Sequence, residues 1–331
     1  MTPANEGPVT TTSGSARSGD VGITAAIGID VGGTKCLGVL VEGREIVAEI
    51  RRPTPNSPSA IIDTLAEMVH ELGDHDSVGV GVPGLVTRTG IIRASPNLTD
   101  VADFDVAGLL SRRLARDVVV ENDATCAAIA EWKSGAAEGF DDAVVVTLGT
   151  GIGGGLIVGG RVVRGHNGFA GEVGHMVVDP NGPACPCGRR GCWERFASGS
   201  VLGAMARAVM KAGGLTGISS LVADVSEVRG EHVCELAEAG DSQALGIVDE
   251  FARWVAIGLV GLANILDPAC IVIGGGLARS HEVVMEPIRR HFAELLYSPD
   301  LRPHPRLDIA RFGEVSGALG AAIAASSFGE E

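Results

Sequence analysis

Residues 145–163, VVTLGTGIGGGLIVGGRVV, repeat a pattern that also occurs near the start of the chain. Residues 25–41, AAIGIDVGGTKCLGVLV, have the same order of strand-like residues and glycines, so that Gly32 falls on Gly149 and Gly38 on Gly155 at one constant offset. Each copy predicts a strand, a glycine turn and a returning strand. An internal duplication is the economical interpretation of the two copies.

The glycine turns of the two copies are candidate phosphate-binding loops. One hairpin from each half can face the other across a cleft and offer backbone N–H groups to a polyphosphate. Short polar residues beside the glycines favour this interpretation over two ordinary tight turns; they are Asp30, Thr34, Thr147 and Thr150. A third glycine turn follows an apolar run at residues 271–277, IVIGGGL, and is a plausible place for the adenosine of a nucleotide.

Two other nucleotide-binding motifs are excluded. The spacing Gly149-x-Gly151-x-x-Gly154 matches the dinucleotide fingerprint, but that motif has to open a helix. Here residues 156–158, LIV, continue as a strand. A Walker A loop needs a lysine directly after a glycine, and no lysine of this chain follows one.

Residues 168–194, GFAGEVGHMVVDPNGPACPCGRRGCWE, contain a candidate metal site with the spacing H-x9-C-x-C-x4-C. The four ligands would be His175, Cys185, Cys187 and Cys192. One histidine and three thiolates suit tetrahedral zinc, and four protein ligands leave no open position, which indicates a structural role. Ordinary core residues are the weaker alternative, because a core strand or helix would not carry the intervening glycines and prolines. Zinc at this place would also draw Glu172 and Glu194 together beside a polar ligand.

Between the two hairpins, a short buried strand at residues 118–120 runs into Glu121-Asn122-Asp123, which an Ala-rich helix follows. The carboxyl end of a buried strand is where open α/β sheets bind ligands. The residues alone leave two interpretations of Asp123 open, a helix N-cap and a catalytic base. Asn97, which follows Pro96 in a predicted loop, is likewise either a turn residue or a ligand-binding one.

Composition limits the class of protein. A chain of 331 residues with 45% hydrophobic residues and a mean hydropathy of +0.27 is long and apolar enough for about two domains. The longest apolar run, residues 255–266, is shorter than the roughly 20 residues of a membrane span. A net charge of −15 disfavours nucleic acid as a partner. Seven cysteines, an odd number, favour a reducing compartment, and a polar, Ser/Thr/Gly-rich start without an apolar core is not a signal peptide; both predict a cytoplasmic protein.

These motifs give the chain a resemblance to the ROK family of sugar kinases and repressors, from about Ile27 to Ala325. Residues 30–35 resemble the first phosphate motif of the family and residues 149–155 its second, and both motifs are shared with the wider sugar kinase and actin-like superfamily. Residues 172–194 resemble its zinc and sugar motif, which is far more specific. Within the family, the motifs are most similar to those of bacterial, actinobacterial-type glucokinases.

The resemblance implies an α/β chain with the two-domain, actin-like or hexokinase-type ATPase fold, which is ribonuclease H-like and has a deep cleft between its domains. It implies transfer of the ATP γ-phosphate to the C6 hydroxyl of glucose, with Asp123 as general base, structural Zn²⁺, and Mg²⁺ that accompanies ATP near Asp30. The implied sugar-binding residues are Asn97, Asn122, Asp123, Glu172, His175 and Glu194. The implied phosphate- and nucleotide-binding residues are Asp30, Gly32, Gly33, Thr34, Lys35, Thr150, Gly151, Gly274, Gly275 and Gly276.

The expected organisation is a disordered tail at residues 1–24, a small domain at 25–133 plus 314–331, and a large domain at 134–313 that carries the zinc loop. Glucose and ATP are the expected partners, without nucleic acid or membrane, and the expected assembly is a homodimer or homotetramer. Kinases for mannose, N-acetylmannosamine or fructose, and a polyphosphate donor, remain alternatives. A sugar-sensing repressor is disfavoured, since about 25 polar residues before Ile27 are too few for a helix-turn-helix domain.

Overall fold

A computed structural model describes residues 23–98, 101–277 and 281–327. Most of the predicted tail, residues 1–22, and the last four residues of the chain lie outside the described residues. The chain forms two five-stranded sheets and a small three-stranded one. The strands are β1 (Ile23–Val31), β2 (Lys35–Gly43), β3 (Glu45–Pro53), β4 (Ser77–Val82), β5 (Leu85–Val86), β6 (Ile91–Ala94), β7 (Phe104–Asp105), β8 (Val118–Asn122), β9 (Ala143–Leu148), β10 (Ile152–Val158), β11 (Arg161–Val162), β12 (Cys270–Gly274) and β13 (Arg306–Ile309).

The helices connect and cover the sheets. They are α1 (Pro58–Leu72), α2 (Val106–Leu114), α3 (Asp123–Ser134), α4 (Glu194–Ala197), α5 (Gly199–Lys211), α6 (Gly230–Glu238), α7 (Ser242–Leu266), α8 (His281–Leu295) and α9 (Ser316–Ser326). Short 3₁₀ turns at Thr216–Ser220 and Val225–Glu227 account for part of the stretch at 213–230, which carries no recognisable motif. No helix of the described ranges has the length and apolar character that crossing a bilayer requires.

The two large sheets have the same topology. Their strand orders are β3-β2-β1-β4-β8 and β11-β10-β9-β12-β13, so that each has an antiparallel three-stranded meander followed by two parallel strands. The glycine turns at residues 32–34 and 149–151 join the first two strands of each meander. The duplication predicted from the glycine spacing is therefore confirmed in the fold.

Helices α3 and α9 lie between the sheets and against each other. α3 follows β8 of the first sheet but packs on β9 and β10 of the second, while α9 follows β13 of the second sheet and packs on β1 and β4 of the first. Small residues allow this close approach, because a Cβ added at Gly153 of β10 would lie 2.6 Å from the Cβ of Ala124. A Cβ at Gly28 or Gly79 would clash with the backbone of α9. Glycine in these strands thus brings the helices onto the sheets.

Each large sheet has its own hydrophobic core. Ile27, Leu65 and Leu110 belong to the core that the first sheet forms with α1 and α2. The second sheet and α5 to α8 enclose a larger core that contains Trp193 and Phe251. Two cores agree with the two-domain fold class, whereas the domain boundaries given above remain a prediction.

Candidate active site

The first glycine turn is an exposed loop that a hydrogen-bond network holds in place. The N–H of Gly32 donates to the carbonyl of Lys35 at 2.9 Å, and the hydroxyl of Thr54 donates to the carbonyl of Gly32 at 2.7 Å. Asn97 lies against this turn, because a Cβ added at Gly33 would be 3.3 Å from the Asn97 carbonyl. A residue predicted to bind sugar therefore contacts a turn predicted to bind phosphate.

The start of α3 tests the interpretation of Asp123 as a helix N-cap. The N-cap of α3 is Asn122, whose Oδ1 accepts a hydrogen bond from the N–H of Thr125 at 3.0 Å. Its Nδ2 donates to the carbonyl of Gly84 at 3.2 Å. Asp123 is the first residue of the helix, and its carboxylate accepts the N–H of the neighbouring Ala124 at 2.8 Å. The interpretation of Asp123 as the cap is wrong, since β8 continues to Asn122 and places the capping position there.

Asp30 and Asp123 lie together at the carboxyl ends of β1 and β8. A Cβ added at Gly81, on the strand between them, would be 3.6 Å from both the Asp30 Oδ1 and the Asp123 Cα. Both residues are only partly buried. Desolvation nevertheless raises the pKa of Asp30 to about 7, with a further rise from the charge of Asp123 and an opposing effect of Lys35.

Desolvation also raises the pKa of Asp123 from 3.8 to about 6. The hydrogen bond from Ala124 opposes this shift, and the negative charge of Glu172 adds to it. A carboxylate with a pKa near the working pH suits general base catalysis better than an ordinary one. Asp123 is thus close enough to affect the pKa of Asp30 at the end of β1, and Glu172 of the predicted zinc segment is close enough to affect the pKa of Asp123.

Helix α9 begins next to Asp30. A Cβ added at Gly317, in the first turn of α9, would lie 2.7 Å from the carboxyl carbon of Asp30. The positive end of the helix dipole favours a negative group at this place. Gly317 is a site residue that the sequence analysis did not identify, because nothing in an Ala/Gly-rich helix indicates which glycine faces a carboxylate.

The four predicted zinc ligands are brought together. One ligand atom from each of His175, Cys185, Cys187 and Cys192 lies within 4.8 Å of the others. The sulfur atoms of Cys187 and Cys192 are 3.6 Å apart, and the Cys185 sulfur is 3.9 Å from Nδ1 of His175. Tetrahedral zinc with Zn–S bonds of about 2.3 Å would place two sulfurs about 3.8 Å apart. The donor set and its spacing therefore fit zinc.

Backbone pairing shapes the zinc segment. Val177 pairs with Cys192 and Ala184 with Arg190 in isolated antiparallel bridges, and the N–H of Cys185 donates to the Arg189 carbonyl at 2.8 Å. These turns bring ligands separated in the sequence to one point, as the Gly and Pro content predicts.

The three predicted sugar ligands of this segment form one group. His175 directs Nδ1 toward the cysteines, while its Nε2 is 3.9 Å from a carboxylate oxygen of Glu172. Burial raises the pKa of Glu172, the charge of His175 lowers it, and the charge of Glu194 raises it. Each ring nitrogen of His175 therefore faces a different partner, the metal site on one side and the carboxylates on the other.

The second glycine turn rests on the zinc segment. Oε2 of Glu194 accepts a hydrogen bond from the N–H of Ile152 at 2.9 Å. Ser200 at the start of α5 donates its hydroxyl to the carbonyl of Thr150 at 2.8 Å. The third turn lies beside the second, because a Cβ added at Gly275 would clash with the backbone of Leu148. Gly275 also has a φ of +92°, which favours glycine at this position.

A model of the ROK family matches residues 26–327 of this chain. The chain belongs to the ROK family. It is 36% identical to a glucokinase of Streptomyces coelicolor, over 89% of this chain and 96% of that one. It is 35% identical to a glucokinase of Thermotoga maritima, over 82% of this chain and 87% of the relative.

A solved structure of a ROK family glucokinase from Streptomyces griseus, in complex with glucose and AMPPNP, superposes with a TM-score of 0.83. It is 36% identical to this chain and covers 90% of it, and the match includes 98% of that structure. The predicted fold class, the two-domain actin-like ATPase fold, is confirmed.

In this ROK chain, one buried ion pair near the site was missed by the sequence analysis. Nε of Arg164 donates to Oε2 of Glu121 at 2.6 Å, and the other oxygen of Glu121 accepts the N–H of Asn122 at 3.0 Å. The pair joins the end of β8 to the loop that leads to Glu172. Glu121 stood in the polar triplet, but nothing in the sequence indicates its partner in the other half of the chain.

The structure assigns Lys35 a protein partner. Its Nζ lies 2.9 Å from Oε2 of Glu314, and both side chains are exposed. The predicted contact of Lys35 with phosphate remains a prediction. The ion pair does not argue against it, because an exposed ion pair of this kind contributes at most about 1 kcal/mol and Lys35 can exchange it for a phosphate.

Proposed function

We propose that this chain is an ATP-dependent glucokinase, which transfers the γ-phosphate of ATP to the C6 hydroxyl of glucose and yields glucose 6-phosphate and ADP. The observation that carries the proposal is the position of Asp123. Its carboxylate, with a pKa raised to about 6, lies near Asp30 at the same edge of the first sheet and is affected by the charge of Glu172, which lies beside the candidate zinc ligand His175. The glucokinase names of relatives that match along most of their length support this proposal.

Asp123 acts in this proposal as the general base. A sugar hydroxyl is a poor nucleophile, and a carboxylate placed to accept its proton contributes roughly 10² to 10⁴ in rate. Positioning of the two substrates and electrostatic stabilisation of the phosphoryl group supply the remainder. Asn122 holds the base in place through the cap of α3.

The sugar is held at the side of the zinc segment. Nε2 of His175 and the carboxylates of Glu172 and Glu194 are hydrogen-bonding groups that match ring hydroxyls. Asn97 contributes from the first turn, and each amide atom of Asn122 retains capacity for one bond beyond its protein partner. Because Asp123 lies beside the first glycine turn, the hydroxyl that it deprotonates is the one nearest ATP. The zinc-side group then binds the opposite end of the ring, which is C1 and C2 for a hexose phosphorylated at C6.

The phosphates of ATP are bound by N–H groups of the glycine turns, with Thr34, Thr150 and Gly151 at their tips and the adenosine near Gly276. Mg²⁺ bound with ATP would offset phosphate charge, and Asp30 is the carboxylate placed to anchor its water shell. Zinc at His175 and the three cysteines would hold the sugar-binding loop and take no part in the chemistry.

A coupled assay over a panel of sugars and phosphoryl donors tests the proposal. The panel contains glucose, mannose, fructose, N-acetylmannosamine and N-acetylglucosamine, each with ATP or polyphosphate. We expect the highest kcat/KM for glucose with ATP, and phosphorus NMR of the product should place the phosphate on O6. A higher kcat/KM for another sugar, or phosphate on O1, would overturn the assignment to glucokinase.

A further inference from the structure

Glu131 lies where both connections between the two large sheets pass. Residues 135–142 lead from α3 into β9 of the second sheet, and residues 310–315 lead from β13 of that sheet to α9. Glu131 belongs to the last turn of α3, and none of its surface is exposed. The catalytic proposal gives this buried carboxylate no role.

The carboxylate of Glu131 binds both connections at once. Oε2 accepts hydrogen bonds from the N–H of Ala136 at 2.9 Å and of Arg311 at 3.0 Å. Oε1 accepts the N–H of Phe312 at 3.0 Å. Side chains reinforce the link, since Nη2 of Arg306 donates to the Ala136 carbonyl at 2.7 Å.

A carboxylate at this place is costly to keep. Burial opposes its charge, and the negative end of the helix dipole lies at the same end of α3. Three N–H donors offset this cost as long as all are present, and loss of the carboxylate would leave those donors unpaired. Gly135 leaves the required room, because a Cβ there would clash with Oε2 of Glu131. The arrangement therefore depends on one side chain whose function is to join two distant segments.

The two helices that Glu131 connects both begin at the active-site carboxylates. α3 begins with Asp123, about 12 Å along the helix from Glu131. α9 begins beside Asp30, whose carboxyl carbon would lie 2.7 Å from a Cβ at Gly317. The helices touch at Gly320, where an added Cβ would clash with the Cys126 carbonyl. A shift of one helix relative to the other would therefore move the start of α9, which lies against Asp30, relative to Asp123 at the start of α3.

We infer that Glu131 is a positioning residue for the phosphoryl transfer: by joining α3 to the segment before α9, it holds the start of α9 against Asp30 in a fixed position relative to Asp123. Glu131 does not touch substrate, and its effect reaches the site through the two helices. The inference rests on the proposed function for the identity of the reaction, but its geometric part does not.

Glu131→Gln and Glu131→Ala test the inference by a comparison of kcat with glucose affinity. Gln directs an NH₂ group at one of the three N–H donors, whereas Ala removes all three hydrogen bonds. The loss of kcat should therefore be smaller in the Gln variant than in the Ala variant. A misplacement of about 1 Å in a catalytic geometry can cost up to 10²-fold in rate. We expect kcat to fall about 10-fold in the Gln variant and up to about 100-fold in the Ala variant. The dissociation constant of glucose, measured by calorimetry, should change less than about threefold, because the zinc-side group is not moved.

Asp241→Ala is the matched control. Asp241 is also a carboxylate that accepts two backbone N–H groups, from Gln243 and Ala244, but it caps α7, which packs away from both carboxylates. This variant should lose thermal stability and keep the kcat of the wild type. Hydrogen exchange of residues 307–315 should accelerate in the Glu131 variants and stay unchanged in the control.

The outcomes separate the two proposals. A wild-type protein without glucose phosphorylation would overturn the proposed function, whereas the exchange experiment would still test the link between the segments. An active wild type with an unchanged kcat in both Glu131 variants would overturn the inference. An equal loss of kcat in folded Asp241→Ala would do so too, since the effect would then follow stability alone.

Discussion

Oε2 of Glu194 accepts a hydrogen bond from the peptide N–H of Ile152 at 2.9 Å, which joins the zinc segment to the second glycine turn. Gly151 has no side chain at the point of contact, because a Cβ there would overlap Oε2 of Glu194. A residue proposed to bind sugar thus also supports a turn proposed to bind phosphate. Asn97 and Gly33 repeat this relationship at the first turn, with 3.3 Å between the Asn97 carbonyl and a Cβ added at Gly33.

Gly151→Ala should impair the use of both substrates, glucose and ATP. The added methyl group displaces the Glu194 carboxylate from the Ile152 N–H. The second glycine turn then loses a hydrogen bond, and Glu194 loses its position among the proposed sugar-binding residues. We expect kcat/KM for glucose and for ATP each to fall at least about tenfold in initial-rate measurements. Gly246→Ala is the control, because Gly246 lies in α7 with open space around its Cα. Unchanged kinetics in Gly151→Ala would mean that Glu194 does not link the two sites.

Glu194→Ala tests the orientation of the sugar. A site that hydrogen-bonds a hydroxyl can reject an analogue without it by up to about 10⁴ in kcat/KM, so 2-deoxyglucose should be a much poorer substrate than glucose. The variant should lose activity mainly on glucose, which narrows the gap between the two sugars. Parallel kcat/KM measurements on both sugars give the answer. If the variant still discriminates fully between glucose and 2-deoxyglucose, C2 of the sugar does not lie at Glu194 and the sugar binds in the opposite orientation.

Asp123→Asn should abolish most of the turnover without loss of sugar binding. Asn keeps the size of the side chain and can still accept the Ala124 N–H, but it cannot take a proton from the C6 hydroxyl. We expect kcat to fall at least about 10² while the dissociation constant of glucose stays within a few-fold of the wild-type value. A kcat within tenfold of wild type would require a different base.

The same variant should be more stable than the wild type at alkaline pH. Because desolvation raises the pKa of Asp123 to about 6 in the folded state, its stabilising contribution is present below the ordinary value of 3.8 and is lost as the pH rises through about 6. Asn carries no charge at any pH. Urea unfolding at pH 8 should therefore give the variant a free energy of unfolding higher by roughly 1 to 3 kcal/mol, and the difference should shrink toward pH 5. A variant less stable than wild type at pH 8 would show that burial does not destabilise the charged form of Asp123 in the folded protein.

The activity of the wild type should depend on the titration of Asp123 as well, because deprotonation of this carboxyl group increases activity. The base must be deprotonated to act, so kcat/KM for glucose should rise with pH through about 6 and then level off. This acid limb should be seen in initial rates between pH 5 and pH 8, whereas the residual rate of Asp123→Asn should lack it.

Removal of the metal should disrupt the sugar site. Cys185→Ser, Cys187→Ser or Cys192→Ser each deletes one thiolate of the tetrahedral set, and binding of a structural metal is coupled to folding of its loop. We expect elemental analysis to find one zinc per chain in the wild type and none in the variants, with loss of glucose binding by calorimetry. Cys234→Ala, a buried thiol of α6 away from the cluster, serves as the control. Active wild-type protein without zinc would contradict this prediction.

The sequence alone determined the features that depend on residues close together in the chain. The strand–glycine–strand hairpins at residues 30–35 and 149–155 were correct, since alternation and glycine turns are local properties. The four candidate metal ligands come together as predicted, because they lie within one segment of 18 residues whose glycines and prolines allow few other conformations.

Tertiary structure decided how these local features meet. The sequence did not indicate that the cap of α3 is Asn122 and not Asp123, because a shift of one residue in the end of β8 exchanges the two positions. It did not connect Glu194 with Ile152, Glu121 with Arg164, or Glu131 with Phe312. Each of these pairs joins segments at least 42 residues apart, and only the tertiary packing brings them within hydrogen-bond distance. Desolvation in the folded protein, which no sequence pattern encodes, raises the pKa values of Asp123 and Asp30.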